Sequence, residues 1–309
     1  MLGRYFLASS GRRTLVPHFQ GCKLTSGSPL AITVGPFAFG TSLVILLVSA
    51  AVAALVGYFV GRRQKVTIGA TLADMLLAGA LAARIAFVVA WFENYRSAPW
   101  SMLDIRDGGF TSWAGVLAAV LVALWQGWRR AALRGPLTVG LLAGSLIWTI
   151  VPAMLRMGTG PALSDLEEVS LKTLQGTPQS LASLANGKPL VVNLWATWCP
   201  PCRREMPELA SAQQQIPGVI FAFANQGENP VTVQKYLTAS QLVLANVVLD
   251  SGKKLGEQLG STALPTTLFF DASGRLVDTH IGALSSASLA SKLARIEAAG
   301  TNVPEVTAR

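Results

Sequence analysis

A chain of 309 residues that is 51% hydrophobic and only 13% charged is too apolar for an ordinary soluble protein and long enough for two domains. Its net charge of +9 is unevenly placed: residues 1–160 carry 14 Lys and Arg against 4 Asp and Glu, and residues 161–309 carry 11 against 12. The positive excess flanks apolar runs in the first half, as topology determinants do, which argues against a basic nucleic-acid surface.

Residues 1–29 contain Arg4, Arg12, Arg13 and Lys23 but no apolar core of signal-peptide length, and are read as an extension, with translation expected to begin nearer residue 30. Cys22, after "FQG", makes a poor lipid-attachment motif and is read as an unpaired cysteine. Residues 30–160 then hold four apolar runs, at about 37–61, 67–92, 111–128 and 137–155, the last containing Pro152. Each is close to the roughly 20 residues that a bilayer core requires, so a bundle of about four spanning helices is expected. Arg62, Arg63 and Lys65 follow the first run, and Arg129, Arg130 and Arg134 separate the third from the fourth. Placing both basic clusters in the cytoplasm puts the amino terminus outside and, after four crossings, everything beyond residue 160 outside as well. Asp74 and Arg84 lie inside the second run, ten residues apart, too far to pair along one straight helix. A charge there costs about 2.5–3.5 kcal/mol or more at the bilayer centre and so requires a partner or a position near the helix end.

The segment "ARIAFVVAWFENYRSAPWSMLDIRDGGFTSWAGVLAA" (83–119), with "ITVGPFAFG" (32–40) upstream, resembles the prolipoprotein diacylglyceryl transferases. The resemblance implies that Arg84 retains a contact with a lipid phosphate. Where that family carries a catalytic histidine this chain has Trp113, between Ser112 and Ala114. Indole cannot exchange a proton as imidazole does, so transferase activity is not expected. No cysteine pair lies in the apolar runs, so electrons for any redox chemistry have to come from another protein.

Residues 161–187, with Gly176, Pro178, Asn186 and Gly187, read as a linker and domain start, 188–300 as a redox domain core, and 301–309 as a tail. Within the core, "KPLVVNLWAT" (188–197) is a buried-type strand, followed by "WCPPC" and a helical run with Met206, Leu209, Ala212 and Ile216 at helical spacing. Strands are predicted at 218–225, 244–250, 265–271 and 275–282, and helices at 230–239, 253–260 and 285–299, an α/β order ending in an antiparallel hairpin and a helix. A Cys-x-x-Cys pair where a strand enters a helix places the first sulfur, Cys199, at the positive helix end, which stabilises a thiolate; Cys202, one turn inside, resolves the mixed disulfide. The competing readings are a structural disulfide and half of a zinc site; a zinc site normally needs four ligands, and with Cys22, His18 and His280 the only other Cys or His residues, zinc is disfavoured. His280 itself is read as a surface or satisfied histidine. No metal or cofactor is expected.

"LWATWCPPCRREMPEL" with "LPTTLFFD" downstream resembles the TlpA/ResA group of membrane-anchored thiol–disulfide oxidoreductases, over about residues 162–297. The resemblance implies a thioredoxin-like fold, with Pro265 in a cis-peptide loop facing the motif and Thr266 beside it. It also implies that Trp198, Pro200 and Pro201 surround the cysteines. Asn193 replaces the buried aspartate of classical thioredoxins, so proton handling passes to Glu205, with Glu228 as a second acidic position near the cavity. The expected partners are disulfide-bearing proteins, such as apocytochromes or copper-site proteins, an external thiol donor and membrane lipid, with the redox domain on the periplasmic side of a bacterial inner membrane. Two other readings stay open: an oxidase or isomerase using the same cysteines, and a phospholipid-binding membrane protein with an accessory redox domain. A thiol peroxidase is disfavoured, since Ala196 occupies the position of its signature threonine.

Overall fold

The computed structural model describes residues 31–34, 37–62, 65–96, 99–156, 162–166, 169–259 and 263–301. The expected extension 1–29, with Cys22, and residues 302–309 of the tail lie outside the described residues; residue 301 ends the last helix.

The first half opens with an antiparallel hairpin, β1 (Ala31–Val34) and β2 (Phe37–Gly40), and continues into α1 (Thr41–Gly61). The apolar run at 37–61 is therefore not helical throughout, because its first four residues pair with β1. Next come α2 (Gly69–Ala90), the single turn α3 (Phe92–Tyr95), α4 (Ser112–Arg129) and α5 (Arg134–Arg156). Among the described residues, three helical segments are long and apolar enough to cross a membrane: Thr41–Gly61, Gly69–Ala90 and Ala131–Met154. The remaining expected span, the third at 111–128, is α4, shorter at 18 residues and ending in the polar Gln126 and Arg129.

The helices pack in two close pairs through small residues. The side of α1 that is buried consists of Ser49, Ala53, Gly57 and Gly61 at intervals of four, while Leu47, Leu55 and Phe59 point outward. On α5, a Cβ at Gly140 would stand 2.6 Å from the Ala53 carbonyl oxygen, and one at Gly144 would stand 2.9 Å from that of Ser49. Gly79 of α2 and Gly115 of α4 meet in the same way. Ile68, from the turn after α1, and Leu133, from the turn before α5, share one cluster with Leu72 and Leu137, so both basic turns lie at the same end of the bundle.

The second half is one seven-stranded sheet with helices on both faces. A 3-10 turn (Leu163–Leu166), β3 (Leu171–Thr173), β4 (Pro178–Gln179) and α6 (Leu181–Ala185) precede β5 (Leu190–Trp195), α7 (Pro200–Gln215), β6 (Ile220–Gln226) and α8 (Pro230–Ala239). Then follow β7 (Val247–Asp250), α9 (Lys254–Gln258), β8 (Thr266–Phe270), β9 (Leu276–Ile281) and α10 (Ser286–Thr301). The spatial order is β4-β3-β7-β6-β5-β8-β9, with β5, β6 and β7 parallel and the remaining pairings antiparallel.

Every residue of central β5 is buried, and its side chains alternate between two cores. Val191 and Trp195 face a cluster with Met206, Leu209, Phe223, Phe269 and Ile296, whereas Leu190, Val192 and Leu194 face one with Leu181, Leu255, Leu268 and Phe270. Leu163, Leu166, Val169 and Leu171 also belong to the second cluster, so most of the stretch expected as a linker is built into the domain. Its apolar positions are spaced singly among polar ones and give no periodic run to read.

The two halves touch. Phe87 and Tyr95 of the helical half bury against Ala287 of α10, with Trp91 and Met102 packed around them, at the opposite end of the bundle from the basic turns.

Candidate active site

Strand β5 delivers the chain through Ala196 and Thr197 to Trp198, which is 64% exposed, and then to Cys199, the N-cap of α7. Pro200 and Pro201 fill the first helical turn, where a missing N–H leaves no hydrogen bond unmade and the fixed φ suits the helix. The Cys199 sulfur accepts from the Cys202 N–H at 3.3 Å, and the two cysteines form a disulfide. Both are buried, with Cys202 deeper. The Cys202 N–H and the positive end of α7 favour a thiolate at Cys199 once the bond is reduced.

Glu205 follows Cys202 by three residues and so shares its side of α7, only 2% exposed. Asn193 Nδ2 on β5 donates to its Oε1 at 2.8 Å, and the Leu284 N–H donates to its Oε2 at 2.8 Å. Burial pushes the carboxyl up to about 7, and those two donors restrain the rise by favouring the carboxylate. Asn193 also donates to Thr267 at 3.0 Å, while its own side-chain oxygen is buried with no partner.

Glu228 is committed to structure. It accepts from the Thr197 N–H at 2.7 Å, the Thr197 hydroxyl at 2.6 Å and Asn225 Nδ2 at 2.7 Å, fastening the loop ahead of Cys199 to the end of β6. The Leu264–Pro265 bond is cis; the Pro265 carbonyl accepts from the Gly282 N–H at 2.9 Å, and the buried Thr266 hydroxyl donates to the Ala263 carbonyl at 2.7 Å. An open cleft of about 400 Å³ runs beside the motif, lined by Pro200, Arg203, Arg204, Pro207, Tyr236 and Leu242. His280 is buried with Nε2 3.3 Å from the Ala283 carbonyl, a satisfied histidine that burial holds down to about 4. Among the described residues, no three His, Cys, Asp or Glu side chains gather as metal ligands would.

Arg84, expected to face a lipid phosphate, is directed instead into the protein: it pairs with Asp107 at 2.8 Å and donates to loop carbonyls. Asp74 accepts from Gln126, so the two charges of α2 do not meet each other. Two groups lie outside the sequence expectations: the Leu284 N–H on Glu205, and Asp107 on Arg84. The Leu284 N–H has no sequence signature, since every residue but proline carries one. Asp107 had a signal, the Asp-Gly-Gly turn following a helix with one buried arginine.

A Redoxin family model matches residues 160–294. The thioredoxin-like protein YneN of Bacillus subtilis is 33% identical over 132 residues, which span 41% of this chain and 75% of YneN. The chain belongs to the thioredoxin-like thiol–disulfide oxidoreductases. This oxidoreductase is also similar to the thiol:disulfide interchange protein DsbE of Tatumella citrea, 32% identical over 155 residues, 47% of this chain and 82% of that one. It is 30% identical over 160 residues to the thiol-disulfide oxidoreductase ResA of Geobacillus thermodenitrificans, 51% of this chain and 91% of ResA. The enzyme class of the oxidoreductase is thereby fixed, and its α/β half is the thioredoxin-like domain.

Proposed function

We propose that this oxidoreductase is a membrane-anchored, extracytoplasmic protein-disulfide reductase working through Cys199 and Cys202. The observation that carries the reading is the pairing of a cysteine at a helix amino terminus with a buried carboxyl one turn beyond its partner. In the reduced domain the Cys199 thiolate attacks a substrate disulfide, forming a mixed disulfide and releasing one substrate thiolate, which takes up a proton. Cys202 gives its proton to Glu205 and attacks the Cys199 sulfur, breaking the mixed disulfide and releasing the second substrate sulfur. Two electrons have then passed to the substrate, and the domain holds its internal disulfide. Reduction by an external dithiol must follow, because Cys22 is the only other cysteine in the chain. Glu205 suits the step because a carboxyl near 7 can accept and return a proton at neutral pH. Trp198 and the cleft at Arg203 and Arg204 offer the client a surface beside Cys199, and Pro265, Thr266, Glu228 and Asn193 hold the site in shape. The clients that fit the TlpA/ResA resemblance are cysteine pairs of apocytochromes or copper-binding proteins.

Anchoring is supported by the inside-out character of the first half, which buries glycine and serine while exposing leucine and phenylalanine, an arrangement suited to lipid. The four-crossing topology is supported by the basic turns at one end of the bundle and the redox domain at the other. Direction is tested by equilibrating the domain with glutathione: a reductase should lie toward thioredoxin, at about −270 mV, and a value near about −120 mV would make the same cysteines those of an oxidase.

A further inference from the structure

Asp107 lies in the loop between α3 and α4, in the helical half, yet two of the groups that bond it belong to the redox domain. Its Oδ1 accepts from Arg84 Nη1 at 2.8 Å and the Gly109 N–H at 3.0 Å. Its Oδ2 accepts from the hydroxyls of Tyr95 at 2.8 Å and Ser285 at 2.9 Å, and its backbone carbonyl accepts from the Ser288 hydroxyl at 2.6 Å. Arg84 gives its remaining donors to the carbonyls of Ser101, Met102, Asp104 and Gly109. So enclosed a pair is fixed in place, since removing either charge strands the other. The turn that carries Asp107 is shaped by both neighbours. Gly108 has φ +66°, and a Cβ there would stand 3.0 Å from the His280 ring; one at Gly109 would stand 2.9 Å from Arg84 Nη1.

Ser285 immediately precedes α10 and caps it, its hydroxyl accepting from the Ser288 N–H at 3.1 Å. The residue before it is Leu284, whose N–H is on Glu205. One peptide bond thus separates the residue held by Asp107 from the donor that holds the buried carboxyl.

We infer that the Arg84–Asp107 pair is a positioning element of the redox site: by gripping Ser285 and Ser288 it keeps the Leu284 N–H aimed at Glu205, coupling the helical half to the carboxyl beside Cys202. The inference rests on the reading of Glu205 as the proton-bearing group. Glu205 is bonded by Asn193 from β5 and by Leu284, with Cys202 on its own helix, and among the described residues no charged side chain acts on it. Asp107 faces Arg84, Tyr95 and His280, with Lys292 and Asp278 beyond the histidine. The influence of Asp107 on Glu205 therefore runs through the backbone of α10's first turn.

The test uses the full chain in lipid nanodiscs, with the protonated-carboxyl infrared band of Glu205 titrated against pH and assigned by its loss in Glu205→Gln. The Leu284 bond favours the carboxylate, so releasing it should raise the midpoint by about one pH unit. That rise is expected in Asp107→Asn and in the double variant Ser285→Ala, Ser288→Ala, which leaves the buried ion pair whole should Asp107→Asn not fold. Ser285→Thr, which keeps the hydroxyl, should titrate like the wild type. An unmoved midpoint in the double serine variant overturns the inference and leaves the role of Glu205 standing. A raised midpoint together with a Glu205→Gln protein whose exchange rate keeps the wild-type pH profile sustains the coupling and overturns the proton-bearing role.

Discussion

Two buried titratable side chains in the redox domain act on stability in opposite senses. Glu205 is raised from an ordinary 4.5 to about 7, so the folded state holds its proton more tightly than the unfolded chain does. Its contribution is complete below about 4.5 and is lost as pH rises through about 7, a change on the order of 3 kcal/mol. His280 is lowered from 6.5 to about 4, so its contribution is present above 6.5 and is lost as pH falls through about 4, with similar size. The two slopes nearly cancel in the wild-type protein. Urea midpoints of the redox domain taken between about pH 5 and about pH 7 should therefore be almost flat for the wild type, rise with pH in Glu205→Gln and fall with pH in His280→Gln; a flat profile in both variants would refute the assignment. The part of this site visible in the sequence is the part carried by side-chain identity at fixed spacing: Cys199, Cys202 and Glu205 are all within one helix start. Whether Glu228 was a free acid or an anchor was not visible, because that depends on Thr197 and Asn225 arriving from two different strand ends.

At the level of elements, uninterrupted apolar runs were easy to assign. The helix 230–239 falls at its predicted bounds, the buried strands β5 to β8 overlap their predicted ranges, and so does the half-exposed edge strand β9. The short β3, β4 and α6 have no periodic pattern of their own: β3 is held by β7, with Leu249 opposite Lys172, β4 pairs with β3, and α6 buries Leu181 and Ala185 in the second core cluster. In the helical half, hydropathy marks the spans but says nothing of which side faces a neighbour; the stripe of small residues does. Gly140→Val should separate α1 from α5, because its Cβ would meet the Ala53 carbonyl oxygen at 2.6 Å, within an unyielding backbone. The expected cost is about 1–3 kcal/mol, read as a lower melting temperature of the solubilised chain. Gly69→Ala, where a Cβ meets nothing within 4 Å, is the control and should melt with the wild type.

For the whole molecule, how the halves face each other is not legible in the sequence, because composition and charge give an expected order of crossings but no contact between domains. Thiol labelling in intact cells, on a background with Cys22, Cys199 and Cys202 replaced, should find cysteines placed at Lys65 and Arg130 shielded and one at Thr177 exposed to the impermeant reagent. Labelling of Arg130 from outside would mean that α4 does not cross. The sheet's rim carries a last consequence. Its outermost strand on one side, β4, is two residues long and begins with Pro178, which has no N–H to offer a further strand. An open sheet edge is a template for any polypeptide with unpaired backbone groups. A rim that begins with proline offers no N–H for such an addition at that position, so exchange at sulfur on this domain need not turn into strand pairing on that side.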